Sequence, residues 1–173
     1  MANANAQVLL QRGTDPFSAR FEDLEGRLAF TMEQVDHIPN TVLQLRREPP
    51  WALQHPGVMG PRAAFFYFGP ARSPGYIVFG NAEARGMRGL LWAKRRSSTS
   101  RYFTSQSGRE MKWKMSGARM ECMDGSKTLA VYEPDQVSTE FAAILTIQAS
   151  GLAVVTEIVA TLMLARIAKV LQW

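Results

Sequence analysis

The chain has 173 residues, 46% of them hydrophobic, a formal net charge of +5 and a single cysteine, Cys122. That length suits one domain with a sizeable core, since domains run most often to about 100–150 residues and barrels somewhat longer, and residues 1–173 are read as one. One cysteine excludes an intramolecular disulfide framework, and with no Asn-x-Ser/Thr acceptor the expectation is an intracellular, cytoplasmic protein.

In chain order, Met1 to Ala6 holds no basic residue, and Val8-Leu9-Leu10 is shorter than the apolar core of about 7–15 residues that an export signal needs. Residues 1–14 are therefore expected to form an N-terminal arm or edge strand. Barrel strands are expected within residues 17–147, from period-2 alternation bounded by turn residues. Leu28, Phe30 and Met32 alternate with Ala29, Thr31 and Glu33, and Leu43 and Leu45 with Gln44 and Arg46. Phe65 to Phe68 and Tyr76 to Phe79 are apolar on both faces, which predicts strands covered on both sides or lying at a sheet-to-sheet contact. Gly69 to Gly75 is a loop by composition. Arg88 to Ala93, with Leu90, Leu91 and Trp92, reads as a further strand.

Two hairpins follow. The first runs from Arg101 to Met115 through Gln106-Ser107-Gly108; its return strand points Met111, Trp113 and Met115 one way and Glu110, Lys112 and Lys114 the other. The second pairs Arg119 to Met123 with Thr128 to Tyr132 across Asp124-Gly125-Ser126, and Asp-Gly is a favoured turn dipeptide. Phe141 to Ile147 is the last strand, and Ser150 is a candidate N-cap for the helix that begins after it. Nine or ten strands are expected in all.

Residues 151–172 read as one helix with almost no polar face, carrying Val154, Val155, Ile158, Val159, Leu162, Met163, Leu164 and Ile167. A half-buried helix needs an apolar stripe of only about 100°, so this one must be surrounded. Glu157 near its start and Arg166 and Lys169 near its end leave a short uncharged run, which favours a helix buried in protein over a membrane span. Many strands, one long helix and no alternating βα pattern predict a mainly β (α+β) fold. The specific expectation is a closed antiparallel β-barrel around a buried C-terminal hydrophobic helix, since a barrel wider than about eight strands must fill its lumen.

Tyr102-Phe103-Thr104, Gly108, Lys112-Trp113-Lys114, Asp124-Gly125-Ser126-Lys127 and Ala130-Val131-Tyr132, followed by the apolar helix, resemble a fungal family of unknown function. The resemblance begins near Asp15-Pro16-Phe17 and the turn at Leu24-Glu25-Gly26; Ser107-Gly108 and Met111 depart from the family's usual Asp-Gly and aromatic residue. What it implies is a fold similar to the tubby C-terminal and LURP-one-related group, with no activity. Tubby-type domains bind phosphoinositides, but no such binding motif carries over residue by residue.

No Gly-rich phosphate loop and no Gly-x-Ser-x-Gly elbow occurs, and His37 and His55 with one cysteine cannot make a structural zinc set of four. The expectation is a non-enzymatic protein without cofactor or metal. From Asn81 to Lys127 eleven Lys/Arg stand against four Asp/Glu, a local excess larger than the whole chain's +5. Lys94, Arg95, Arg96 and Arg101 bracket a Ser/Thr loop, and Lys112 and Lys114 face outward nearby. These six residues form the candidate site for an anionic ligand, with an anionic membrane lipid as candidate partner and no specific nucleic acid; the bland alternative is a solvated basic face. A second candidate is a protein partner, recognised by an open strand edge or by the Pro-rich segment from Arg47 to Pro61, with Trp51 either an exposed hot spot or a cap on one barrel end. Cys122 is expected to be a buried, inert thiol.

Overall fold

The period-2 alternation of this chain is realised as a single antiparallel sheet of twelve strands with one long helix packed in it, in a computed structural model that describes residues 5–173. The strands are β1 (Gln7–Arg12), β2 (Ala19–Asp23), β3 (Leu28–Asp36), β4 (Val42–Arg47), β5 (Ala63–Tyr67), β6 (Tyr76–Phe79), β7 (Arg85–Gly86), β8 (Arg101–Thr104), β9 (Glu110–Ser116), β10 (Arg119–Asp124), β11 (Lys127–Pro134) and β12 (Ala143–Ile147). Two one-turn helices, α1 (Pro49–Ala52) and α2 (Met87–Leu90), interrupt them, and α3 (Val155–Leu171) ends the fold.

Every strand pairs with its sequence neighbour except β7 with β8, and β1 pairs with β12, Gln7 opposite Ile147 and Leu9 opposite Leu145. The sheet is thus two meanders joined by their first and last strands, with β7 and β8 as its ends. Residues 87–100 span the gap between those ends, and an isolated bridge joins Trp92 to Tyr102 of β8, with N–H to carbonyl distances of 3.0 and 2.7 Å.

Alternating side chains place Leu9, Phe21, Phe30, Leu45, Phe66, Ile77, Phe103, Trp113, Cys122 and Leu145 in one core, all fully buried. The helix supplies the rest. Every residue of α3 from Val155 to Ala165 is buried, so each of its faces meets protein. Burying a Leu, Ile, Val or Met side chain is worth about 1.5–3 kcal/mol, and a helix apolar all round collects this on its full circumference. Gly151, in the 3₁₀ turn Ala149–Val154 that leads into α3, permits the approach: a Cβ there would lie 2.7 Å from the Leu129 carbonyl oxygen.

Polar side chains on α3 are tied to different parts of the wall. Thr156 Oγ1 donates to the Pro61 carbonyl at 2.7 Å, just before β5. Glu157 accepts the Gln106 N–H at 2.9 Å, just after β8. Thr161 Oγ1 accepts the Trp113 indole N–H at 2.8 Å from β9 and donates to the Glu157 carbonyl at 2.7 Å. Arg166 donates to Gln11 Oε1 of β1 at 3.3 Å and to the Thr14 carbonyl at 3.1 Å. Buried polar groups require such partners, and these fix the helix in rotation as well as in depth.

Several expectations are corrected. Residues 7–12 are neither an arm nor an edge but a strand paired on both sides, and residues 1–4 of the expected arm lie outside the described residues. Arg88 to Ala93 is not a strand: Met87 and Leu90, three apart and both buried, form the inner side of α2, so the apolar run serves a helical period. Ser150 does not cap α3, because the 3₁₀ turn intervenes and Val154 precedes the first helical residue. Among the described residues no second sheet covers β5 and β6. Their outer face is apolar because its aromatic rings cover one another, Phe65 to Tyr67 at 6.3 Å and Tyr67 to Tyr76 at 4.8 Å between centroids.

Two outcomes test this core. Thr161→Val leaves the Trp113 N–H buried without an acceptor and is expected to cost about 1–3 kcal/mol in denaturant unfolding; the double variant Trp113→Phe/Thr161→Val should lose less than the sum of the two single changes, and additive losses would show the pair uncoupled. Burial holds the Glu157 carboxyl above the ordinary glutamate value, opposed in part by the Gln106 N–H and by the charge of Arg85. With the folded value raised, the unfolded chain ionises first as pH climbs past the ordinary carboxylate range, so stability falls through that interval and the deficit persists above it. Glu157→Gln, which keeps the acceptor for Gln106, should therefore unfold at a higher temperature than the native chain at neutral pH. The difference should shrink toward zero below the ordinary carboxylate range, and a difference independent of pH would refute the assignment.

Candidate functional site

The segment from Lys94 to Arg101 connects α2 to β8 and so lies over the gap between the ends of the sheet. Its cations do not act as one cluster. Lys94 forms an ion pair with Glu110 and sits 4.3 Å over the Tyr102 ring; the hydrogen bond to Glu110 is the main cause that raises its ammonium above the ordinary lysine value. Lys112 joins Lys94, Tyr102 and Glu110 around a shallow depression on the outer face. Arg95 and Arg96 are exposed at the loop tip, without an ion pair among the described residues. Lys114 is exposed on the outer face of β9, directly opposite Glu121 in the ladder.

Arg101 turns elsewhere. Its guanidinium donates to the carbonyls of Ser98 and Ser100 at 2.9 and 3.1 Å, and it lines a cavity of about 1050 Å³ at the C-terminal end of α3. Three further cations line the same cavity: Arg88 from α2, and Arg166 and Lys169 from the last turns of α3. No aspartate or glutamate lines it, and none of the four cations has an ion pair among the described residues. Met87, Leu91, Met115, Met120, Leu164 and Trp173 supply its apolar wall.

The fold accounts for each contribution. In α3, Arg166 and Lys169 are three residues apart and share a face at the end of the buried rod. Arg166 is half-buried, fixed by Gln11 and the Thr14 carbonyl, with its guanidinium 5.3 Å from the Tyr132 ring centre. The Tyr132 hydroxyl in turn donates to Gln11 at 3.0 Å; burial holds its pKa above the ordinary tyrosine value, and the charge of Arg166 partly offsets that. One lip of the cavity is the β9–β10 turn, where Gly117 adopts φ 62°, a left-handed conformation that favours glycine. Thr99 Oγ1 of the basic loop donates to the Met115 carbonyl at 3.3 Å, which places the loop along this rim.

Of the six residues expected from the sequence, only Arg101 belongs to the cavity; Arg88, Arg166 and Lys169 were not anticipated as site residues. The signal for Arg166 and Lys169 was their shared face at the end of an otherwise apolar helix. Taken along the chain, they register only as the charges that terminate the run.

The other expected sites resolve differently. Trp51 is fully buried rather than exposed, packed by Phe30 and His55 with ring centres 5.8 and 4.9 Å away, because α1 folds back over β3. Met59 donates its N–H to the Leu152 carbonyl at 3.4 Å, so the segment from Arg47 to Pro61 covers the N-terminal end of the helical rod. Cys122 is fully buried, and desolvation pushes its thiol far up from the ordinary cysteine value, which makes it inert.

A family model matches residues 58–168, described as a family of unknown function, DUF6593. No curated protein and no solved structure matches the chain. The match runs from just before β5 into the last turns of α3, taking in Arg88, Arg101 and Arg166 and leaving β1 to β4 outside it. With well over half of its length inside that match, the chain belongs to the family of unknown function DUF6593.

Proposed function

We propose that the protein is a non-enzymatic, intracellular binding module that contacts anionic lipid at a membrane surface through its basic end. The observation that carries this reading is the gathering of cations without carboxylate partners: Arg95 and Arg96 on the loop, with Arg88, Arg101, Arg166 and Lys169 around the adjoining cavity. Near an anionic membrane each such residue contributes on the order of 1 kcal/mol. Lys94 adds less, because it is ion-paired with Glu110.

The scaffold in this reading is a barrel of the tubby C-terminal and LURP-one type, closed across the ends of the sheet. Its support is the pairing of β1 with β12, the bridge from Trp92 to Tyr102, and the burial of α3 on every face. The span Ala149–Leu171 is long and apolar enough to cross a membrane by length and composition, and 78% of its most apolar window is buried. That burial supports a core helix over an anchor. A protein partner is the second reading, supported by the outward aromatic row of Phe65, Tyr67 and Tyr76, of which Tyr76 is 45% exposed.

The test is co-sedimentation with vesicles. The protein should pellet with phosphatidylserine-containing vesicles and not with phosphatidylcholine alone, and Lys94→Ala/Arg95→Ala/Arg96→Ala should pellet several-fold less. Raising salt from about 0.1 M to 1 M, which cuts the screening length from about 10 Å to 3 Å, should release it. Equal sedimentation of the two proteins, or indifference to salt, would overturn the membrane reading.

A further inference from the structure

We infer that the cavity at the C-terminal end of α3 is a binding site for a single-chain anionic amphiphile, a long-chain carboxylate or a monoacyl phosphate. The inference extends the membrane reading from the surface of the basic end to its interior, and it rests on the same charge.

Size, wall and charge point to the same ligand class. About 1050 Å³ lies at the top of the range of about 300–1,000 Å³ that holds small-molecule ligands. Much of the lining is apolar, and three methionines, Met87, Met115 and Met120, give a wall that adapts to a flexible chain. A free inorganic anion has no use for that wall, and a neutral lipid has no use for four cations with no aspartate or glutamate among the lining residues.

Burial divides the cations. Arg88 and Lys169 are exposed and form the rim. Arg101 and Arg166 are half-buried, and the hydrogen bonds they make go to carbonyl and amide oxygens rather than to anions. A partly desolvated guanidinium with only neutral acceptors gains a charge-assisted, bidentate pair when a carboxylate or phosphate arrives. The C-terminal end of α3 contributes partial negative charge at this place, which disfavours an anion; Lys169 in the last turn offsets it. The head group is therefore assigned to Arg101 and Arg166, and the acyl chain to the methionine wall and Leu164.

The experiment is calorimetric titration of the full chain with palmitate and with a monoacyl phosphate, both below self-assembly. Monoacylglycerol of the same chain length and inorganic phosphate serve as the neutral and headgroup-only controls. Saturable binding of the anionic amphiphiles is expected, with both controls weaker by about tenfold or more: monoacylglycerol loses a charge-assisted hydrogen bond, and inorganic phosphate loses the burial of the acyl chain. Ala168→Trp, which adds bulk from a half-buried position on the lining, should abolish uptake. Arg101→Gln, which removes side-chain hydrogen bonds to the Ser98 and Ser100 carbonyls only, should weaken it by about tenfold. Thermal melting of both variants checks that they remain folded, and Arg166→Gln gives a second charge variant at the wall.

Inorganic phosphate binding as tightly as the monoacyl phosphate would overturn the inference in favour of a free-anion site. Monoacylglycerol binding as tightly as palmitate would overturn the role of charge, and uptake surviving in folded Ala168→Trp would overturn the role of the cavity. Uptake by a protein that does not sediment with vesicles would support the cavity site and remove the membrane reading; sedimentation without uptake would do the reverse.

Discussion

A helix with no polar side must have protein on every side, and that requirement organises this molecule. From Val155 to Ala165 every residue of α3 is buried. A flat sheet can cover only one face of a rod about 10–12 Å across, so a sheet that helps to bury this one must curve. The apolar strand faces need the helix as much as the helix needs them, because a curved sheet this wide encloses more space than its own side chains can fill.

Apolar contact by itself would leave the rod free to turn or slide. The polar side chains of α3 remove that freedom at successive heights: Thr156 at Pro61, Glu157 at Gln106, Thr161 at Trp113 and Arg166 at Gln11. A slip of one residue would break all of these and strand buried donors and acceptors at about 1–3 kcal/mol each. Hydrophobic burial therefore sets where the helix lies, and hydrogen bonding sets its phase. That phase decides which helical face ends at the cavity, so the placement of Arg166 and Lys169 there follows from bonds made two and three turns earlier.

Much of this architecture could be read from residues alone, because it is written in local periods. The alternation of Met111, Trp113 and Met115 with Glu110, Lys112 and Lys114 matches β9, and Asp124-Gly125 marks the β10–β11 turn. The unbroken apolarity of α3 announced its burial. What failed was non-local. Nothing in Gln7–Arg12 names β12 as a partner, so a central strand resembled an arm. Three successive apolar residues after Gly89 fit a strand or one helical turn equally, and Met87 upstream decided for the turn. The charge cluster divides for a related reason. Residues adjacent in sequence on a strand or loop point in different directions, so Lys94 and Arg101 serve different surfaces while Arg88, Arg101 and Arg166 converge from three elements.

The ladder between β1 and β12 also carries a consequence for how the molecule is made. A ribosome releases β1 long before β12, and in the finished sheet one edge of β1 belongs to that late strand. Until it arrives, the early meander carries an open rim of unpaired amides and an empty greasy trough, both liable to capture other nascent chains. The cap and the filling come in one stretch of synthesis, since α3 follows β12 directly. Chaperone dependence should thus concentrate on the interval after the meander forms and before β12 and α3 clear the exit tunnel, a vulnerability set by connectivity rather than by final stability.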